Sequence, residues 1–456
     1  MEKELPKSWV ETKIGELSQI IRGVSYSKSD SRQIKQDGDF LILRGGNIQD
    51  GYIVDKLNDE VYVSSSIVKD IQKIKKGDVV IVGSTGSSNL IGKAGIAKSD
   101  LHEITFGAFL MLIRCRDEVV KEYFDYFFIS DFYRSTIREL AGGVNINNIR
   151  KEYIENLVFP LPPKPEQERI VAKLDVLFGE LEKVKTRLAN IPTLLKNFRQ
   201  AVLTQAVTGK LTQEWRLPAG KAGVGKELGE WQETKLDDLI LFAGNGLSKR
   251  RGTEGEEITV LRLADFKKSV RTYGEERSVV LNKKEQEKYV LDIDDLLIVR
   301  VNGSVDLAGK FILYSERDKQ EAYCDHFIRV KVDPQKIGSL YLTYITNSGE
   351  GRQYLQNSLS TSAGQNTINQ KSVRGLTVNL PSLEEQQEIV RRVEALFAQA
   401  DAIEGRYATL KQKIEQLPQA ILAKAFRGEL VPQLPTDGDA KELLEEIKKL
   451  KVGGKK

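Results

Sequence analysis

Leu161–Leu211 reads LPPKPEQERIVAKLDVLFGELEKVKTRLANIPTLLKNFRQAVLTQAVTGKL, and Leu380–Leu430 reads LPSLEEQQEIVRRVEALFAQADAIEGRYATLKQKIEQLPQAILAKAFRGEL. The two align without a gap at a constant offset of 219, pairing Pro162 with Pro381, Gln167 with Gln386, Phe178 with Phe397 and Gly209 with Gly428. In the first copy apolar residues fall at Ile170, Leu174, Leu177, Leu181, Val184, Leu188, Ile191, Leu195, Phe198 and Val202, alternately four and three apart. The second copy gives Ile389, Val393, Leu396, Ala400, Ile403, Tyr407, Leu410, Ile414, Leu417 and Ile421. A seam of this period over about five heptads predicts supercoiled helices. Roughly 36 residues at 1.5 Å each span about 54 Å. Equal seams in two related copies predict that the helices pack on each other, antiparallel. Pro192 and Pro418 are not equivalent, and each removes a backbone donor, so each predicts a kink or restart. Asn190 is placed to cap a restarted segment after a break late in the first helix.

Outward from the helices, the repeat extends to the regions before them. FLILRGGNI (40–48), GDVVIVGSTGS (77–87) and FGAFLMLIRC (106–115) are apolar, β-branched runs broken by turn residues, and VKEYFDYFFISDFYRSTIREL (120–140) has helical spacing. The same order recurs after residue 229. EWQETKLDDL echoes SWVETKIGEL, EITVLRLADF echoes FLILRGGNI, and DIDDLLIVRVNGS echoes IKKGDVVIVGSTGS. SLYLTYITNSGEGRQYLQ takes the helix position, and TINQKSVRGLTVNLP echoes NNIRKEYIENLVFPLP. The expected fold is therefore α/β (α+β): two diverged mixed units, each followed by a long helix. A Gly-rich stretch (218–230) links the halves. The tail after Pro432 ends in a short charged helix and a Gly-Lys end, expected to be mobile.

A chain of 456 residues exceeds one hydrophobic core and predicts about three or four domains. No stretch approaches the length of a membrane span. The start, MEKELPKSWVETK, lacks the apolar run of a secretory signal, so a cytoplasmic location is expected. Two cysteines, Cys115 and Cys324, fit a reducing compartment and cannot build a disulfide framework. Cys324 lies near His326, but with two histidines in the chain no metal site is expected. The net charge of +4 does not announce nucleic-acid binding, although recognition depends on where charge is placed rather than on its sum.

Catalytic motifs fail one by one. Phe242-Ala243-Gly244-Asn245-Gly246 fits the glycine loop that binds S-adenosylmethionine, yet no motif for holding a flipped base follows, and Ile21–Ser25 in the first repeat lacks the pattern. A turn after a strand is the plainer reading. Gly220 to Lys226 has phosphate-loop spacing, but Glu227 stands where a hydroxyl would hold magnesium, and no strand precedes it. Gly86 to Lys93 has the wrong spacing. No nucleophile setting suggests a triad, and acid pairs such as Asp237-Asp238 and Asp294-Asp295 fit capping or solvated roles. No catalytic residue and no bound cofactor are expected.

What remains is polar loops at matched places. In the first unit these carry Arg22, Ser25 and Tyr26; Arg44 and Asn47; Ser84 and Ser87; and Asn145. In the second they carry Asn245, Ser248 and Lys249; Arg262; Arg300, Asn302 and Ser304; and Gln365 and Asn366. Arginine reads guanine bidentately and asparagine or glutamine reads adenine, while serine and loop amides suit phosphates. Any one such loop is more simply a turn; recurrence in both repeats marks the set as candidate DNA contacts.

At this point the chain resembles the specificity subunit of type I restriction–modification systems, over almost its whole length. The resemblance rests on the order unit, helix, unit, helix; on the helix entries LPPKPEQERIVAKLD and LPSLEEQQEIVRRVE; and on the exits FRQAVLTQAVTGKLT and QAILAKAFRGEL. The openings LPKSWVETKIGEL and RGVSY, NGS at 302–304 and SAGQNTIN at 362–369 also look like this family. It implies that residues 1–160 and 229–380 are target recognition domains, each reading half of a bipartite asymmetric DNA site. Residues 161–212 and 381–430 would be conserved coiled-coil helices, antiparallel, setting the gap between half-sites. Residues 213–228 would be a linker and 431–456 a charged tail. It implies double-stranded DNA, two methyltransferase (modification) subunits and restriction subunits as partners. S-adenosylmethionine, ATP and magnesium would belong to those partners. The seam residues it places in the helix pair are Ile170, Leu174, Leu177, Leu181 and Leu188 with Ile389, Val393, Leu396, Ile403 and Leu410.

Overall fold

A computed structural model describes residues 4–56, 59–87, 89–141, 147–216, 231–267, 270–274, 276–315 and 319–453. Asn145, the whole Gly-rich stretch 218–230 and the residues after 453 lie outside the described residues. The chain forms two compact units. Unit 1 comprises Met1–Leu188 with Thr409–Lys456, and unit 2 comprises Ala189–Ala408.

In unit 1 a four-stranded antiparallel sheet runs in the order Ala94–Ile96, Asp78–Val82, Leu110–Cys115, Ser18–Arg22. The unbroken apolar run Val79-Val80-Ile81-Val82 is buried throughout because both faces are covered. Strand alternation sends Val79 and Ile81 to the helices Lys121–Phe128 and Asp131–Ala141. It sends Val80 and Val82 to a core shared with Leu43 and Phe106 of a second sheet. In that second sheet, Ile104–Phe106 runs parallel to Asp39–Leu43. Unit 2 repeats the order with Phe311–Leu313, Leu296–Val299, Phe327–Val332 and Ile240–Asn245. Here Leu296 and Ile298 face the helices, and Leu297 and Val299 face the second sheet.

The long helices are α1 (Lys164–Ala189), α2 (Ile191–Val207) and α3 (Leu383–Phe426). The break at Asn190 falls where Pro192 predicts it, but the Asn190 side chain makes no capping hydrogen bond. At Pro418, for which a kink or a restart is expected, there is no restart: α3 runs on through it. Ile414 and Leu422 on either side of it are buried, so packing on unit 1 holds the helix across the missing donor. Each unit joins the start of one long helix to the end of another. In unit 1, Ile170 and Leu174 share a core with Leu422, Ala425 and Phe426. In unit 2, Val202 and Ala206 share a core with Ile389 and Val393. Arg199 bonds Asp401 and Glu404 while Arg392 donates to the Leu211 carbonyl, so the paired segments of unit 2 run antiparallel.

Both helix entries are fastened by the same two residues, 219 apart. Gln167 accepts from the Val120 amide and donates to the Pro162 carbonyl; Gln386 accepts from Gly338 and donates to Pro381. Glu166 is fully buried and receives the Trp9 indole N–H at 2.9 Å, and Glu385 receives that of Trp231 at 3.1 Å. Burial raises the Glu166 carboxyl, against hydrogen bonds from Gln433 and Trp9 that lower it.

Two expectations need correction. The tail is docked: α4 (Ala440–Gly453) buries Ala440, Leu444 and Ile447 on the unit 1 core, because their spacing makes one apolar stripe. Ala440 also donates to the Ser8 carbonyl, and Lys451 pairs with Glu16. The seam, moreover, is not buried along its length. Ile170, Leu174, Leu181, Ile389 and Val393 are buried, and Leu177, Leu188 and Leu396 are half-buried. Ile403 and Leu410 are 47% and 45% exposed. Burial alternates along the seam: Leu181, Leu195, Ala400 and Ile414 are buried between the ends, while Val184, Ile403, Leu410 and Leu417 stay exposed.

Candidate nucleic-acid interface

Two glycines build the candidate surface. A Cβ on Gly23 would lie 2.1 Å from the Gly107 carbonyl oxygen, and one on Gly246 would lie 2.0 Å from that of Cys324. Only glycine permits this approach, which lets Val24 bridge Gly107 and Leu247 bridge Cys324. The loops after Arg22 and after Asn245 are thereby pinned to the tight turns 107–109 and 324–326. A third loop joins them through matched backbone bonds. Gly83 donates to the Phe109 carbonyl at 2.8 Å, and Arg300 donates to that of His326 at 2.7 Å. The fourth loop follows: Ile149 donates to Gly83, and Ile368, 219 residues on, donates to Arg300.

In unit 1 these loops enclose a cleft of about 370 Å³ lined by Arg22, Ser25, Ser84, Asn148, Arg150 and Lys151, among others. Arg22 and Ser25 are exposed, while Tyr26 is half-buried and packs beside Val24. Ser84 and Ser87 are half-buried on the same loop. In unit 2 the Asn245 side chain accepts from Gln370, tying the first loop to the fourth. Arg300 donates to the Asp325 carbonyl at 3.0 Å, and Asn302 accepts from the Ser304 amide. Ser248, Ser304 and Gln365 are exposed.

Other candidates are spent on the fold. Asn47 is 4% exposed; it caps the short turn after Arg44 and donates to the Val54 carbonyl. Asn366 is 5% exposed and holds Gly303 and Thr361. Neither presents a base-reading edge, because asparagine in these turns satisfies backbone groups first. Lys249 is paired with both oxygens of Glu285. Arg44 pairs with Asp59, and Arg262 pairs with Asp265 at 3.0 Å. Sequence reasoning missed Phe109, Arg150, Lys151 and Gln370. For Arg150 and Gln370 the register signal was present, since both flank the Ile149/Ile368 pair.

The other motifs resolve structurally. Phe242, Gly244 and Asn245 lie within the strand Ile240–Asn245, not in a loop, and Gly246 is used for backbone approach. Cys324, Asp325 and His326 bring ligand-type atoms within 4.8 Å of one another. Burial pushes the Cys324 thiol up, away from the thiolate a metal requires, and Asp325 pairs with Arg250 at 3.4 Å. Among the described residues no helix is long and apolar enough to cross a membrane.

Comparison with known proteins agrees with this duplicated arrangement. The family model of the type I restriction modification DNA specificity domain matches twice, over residues 6–192 and 229–415. The type I restriction enzyme StySPI specificity subunit of Salmonella potsdam is 45% identical, covering 99% of this chain and 98% of its own. The EcoKI specificity subunit of Escherichia coli strain K12 is 34% identical with the same coverages. The crystal structure of the HsdS subunit from Thermoanaerobacter tengcongensis shares the fold, with a TM-score of 0.60 at 20% identity over 94% of this chain and 99% of that one. The paired units, the matched helix entries and these relatives together place the chain in the family of type I restriction–modification specificity subunits, the non-catalytic DNA-recognition subunits of those systems.

Proposed function

We propose that the chain reads a bipartite, asymmetric DNA site, with residues 1–160 and 229–380 as target recognition domains for one half-site each. The helices of 161–212 and 381–430 set the gap between half-sites. They dock two modification subunits, which methylate adenine, and the restriction subunits. S-adenosylmethionine, ATP and magnesium act on those partners, in the cytoplasm. Residues 213–228 serve as the linker. The tail from 431 belongs to the first unit, since it packs there. The observation that carries the reading is the pair of four-loop clusters: their backbone bonds match, while their side chains differ. One scaffold offering two different polar surfaces suits two different half-sites. The loop candidates that are exposed or half-buried are Arg22, Ser25, Ser84, Ser87, Asn245, Ser248, Arg300, Asn302, Ser304 and Gln365, of which Asn245, Arg300, Asn302 and Ser304 also hold hydrogen bonds within the loops.

Mapping methylated adenines in cells with and without the gene tests this. A two-part motif that appears only with the gene is expected. Exchanging residues 1–160 for those of another family member, with 409–456 retained, is expected to change one half of the motif. Loss of the motif requirement, or change of both halves, overturns the modular reading.

A further inference from the structure

The turn at 107–109 presents a side chain that the fold does not use. Phe109 is 71% exposed, more than Phe132 of the same unit at 55%, whereas the rings of Phe106, Phe124, Phe127 and Phe128 are buried. Its backbone is nonetheless fixed, because its carbonyl accepts from both Gly83 and Ser84. A single exposed ring is ordinary by itself; what marks this one is its place on the turn that ties the polar loops together. Its chain neighbour Ala108 lines the polar cleft with Arg22, Arg150 and Lys151. Lys151 pairs with Glu155 at 3.2 Å and Glu152 shares the lining, so Arg22 and Arg150 are the cations beside the apolar projection, complementing a polyanion that also carries apolar groups on its base edges. Duplex DNA has that chemistry: phosphates for the cations, and the thymine methyl in the major groove for a ring. The matched position in unit 2 is His326, also partly exposed and held by the same bond from the third loop. One turn thus carries an apolar tip in one unit and a polar tip in the other.

We infer that Phe109 is a specificity-determining residue of the first half-site, packing its ring on a thymine methyl in the major groove. This rests on the DNA-reading function proposed above. The turn tip supplies selection for an A·T pair that the polar loops do not, and His326 gives the second unit a different preference at the equivalent place. Because the side chain is exposed, truncating it opens no cavity, and Phe109→Ala is expected to leave thermal stability unchanged.

The test uses the complete modification complex and duplexes carrying its mapped motif, with thymines replaced one at a time by uracil, which lacks only the methyl group. Wild type is expected to lose affinity at one position. Phe109→Ala is expected to bind the intact motif roughly 5- to 100-fold more weakly, the cost of a lost base contact, and to be indifferent to uracil at that position. A uniform uracil profile in wild type, or an unchanged profile in Phe109→Ala, overturns the inference. Failure of the underlying reading looks different: wild-type complex would not prefer the motif duplex over a scrambled one.

Discussion

Unit 1 and unit 2 have the same strand order and fasten the helix entry with the same glutamate and glutamine, yet their cores are filled differently. Where the sheet of unit 1 meets its helices, Tyr123, Phe124, Phe127, Phe128, Tyr133, Phe159 and Phe426 form one aromatic cluster. Phe127 lies 5.0 Å from Phe159 and 5.7 Å from Phe426, centroid to centroid. Unit 2 keeps one tyrosine of that layer, Tyr341 in place of Tyr123, but puts Leu342, Ile345 and Leu355 beside it, with Val207 packed against them. In α3 and α2 the change is direct: Phe426 of unit 1 stands opposite Val207 of unit 2 in the repeat. What the two units hold in common are buried polar anchors, for which few substitutes satisfy every hydrogen bond. Apolar volume is exchangeable so long as the space is filled. Duplication therefore preserved hydrogen-bonded geometry and let packing drift.

The largest expected effect breaks the aromatic half of this comparison. Phe127→Ala removes the ring at the centre of the cluster and is expected to cost about 3–5 kcal/mol. Hydrogen exchange should show lost protection in 1–188 and 409–456 and little change in 189–408. Equal loss in both units would show that they do not fold as separate cores.

A second test uses Asp125, which stands where unit 2 has Thr343. Thr343 donates its hydroxyl to Leu340, whereas Asp125 is 7% exposed and its Oδ1 has no hydrogen-bond partner among the described residues. Burial pushes the Asp125 carboxyl up to about 7 from an ordinary 3.8. Below the ordinary value both folded and unfolded chains hold the proton. Between there and about 7 the unfolded chain releases it first, so stability falls as pH rises through that window. Asp125→Asn is expected to stabilise unit 1 at pH 8 by roughly 2–4 kcal/mol, and to give no gain at pH 3.5. Thermal unfolding at the two pH values measures it; the same shift at both would remove the carboxyl from the account.

The smallest effect concerns a backbone turn. Gly77 adopts φ +79°, and Asp294 holds the matching turn at φ +69°. A Cβ on Gly77 would approach Lys121 Cδ at 3.0 Å, while Asp294 is tied by its amide to Tyr314 and by its carbonyl to Ser339. Gly77→Ala is expected to cost about 1 kcal/mol, and Asp294→Gly to change stability by about 0.5 kcal/mol or less. Denaturant midpoints decide; equal costs would mean that the two turns are not equivalent.

Much of the architecture was legible because it is periodic. The heptads, the unbroken apolar Val79–Val82 run and the Trp9/Trp231 echo are local patterns whose meaning depends on strand and helix geometry alone. The candidate site was legible as a set of loops but not residue by residue. Asn47 and Asn366 have the chemistry of base readers, yet turn formation consumes them. Phe109 looked like one more apolar strand residue until the turn placed it outside the core. The tail looked solvated because its charged residues outnumber Ala440, Leu444 and Ile447, which nonetheless share one face.

The sequence by itself determined the duplication, the mixed α/β units and the long helices, since each is written in spacing and in residue types that recur 219 positions apart. Only the tertiary structure decided that residues 409–456 complete the first unit and which residues of the helix seam are buried. It alone decided which polar loop residues face outward. Those outcomes depend on contacts between segments hundreds of residues apart, such as Ser8 with Ala440 and Arg169 with Asp437. No local pattern encodes them, because burial is a property of what a residue meets rather than of what it is.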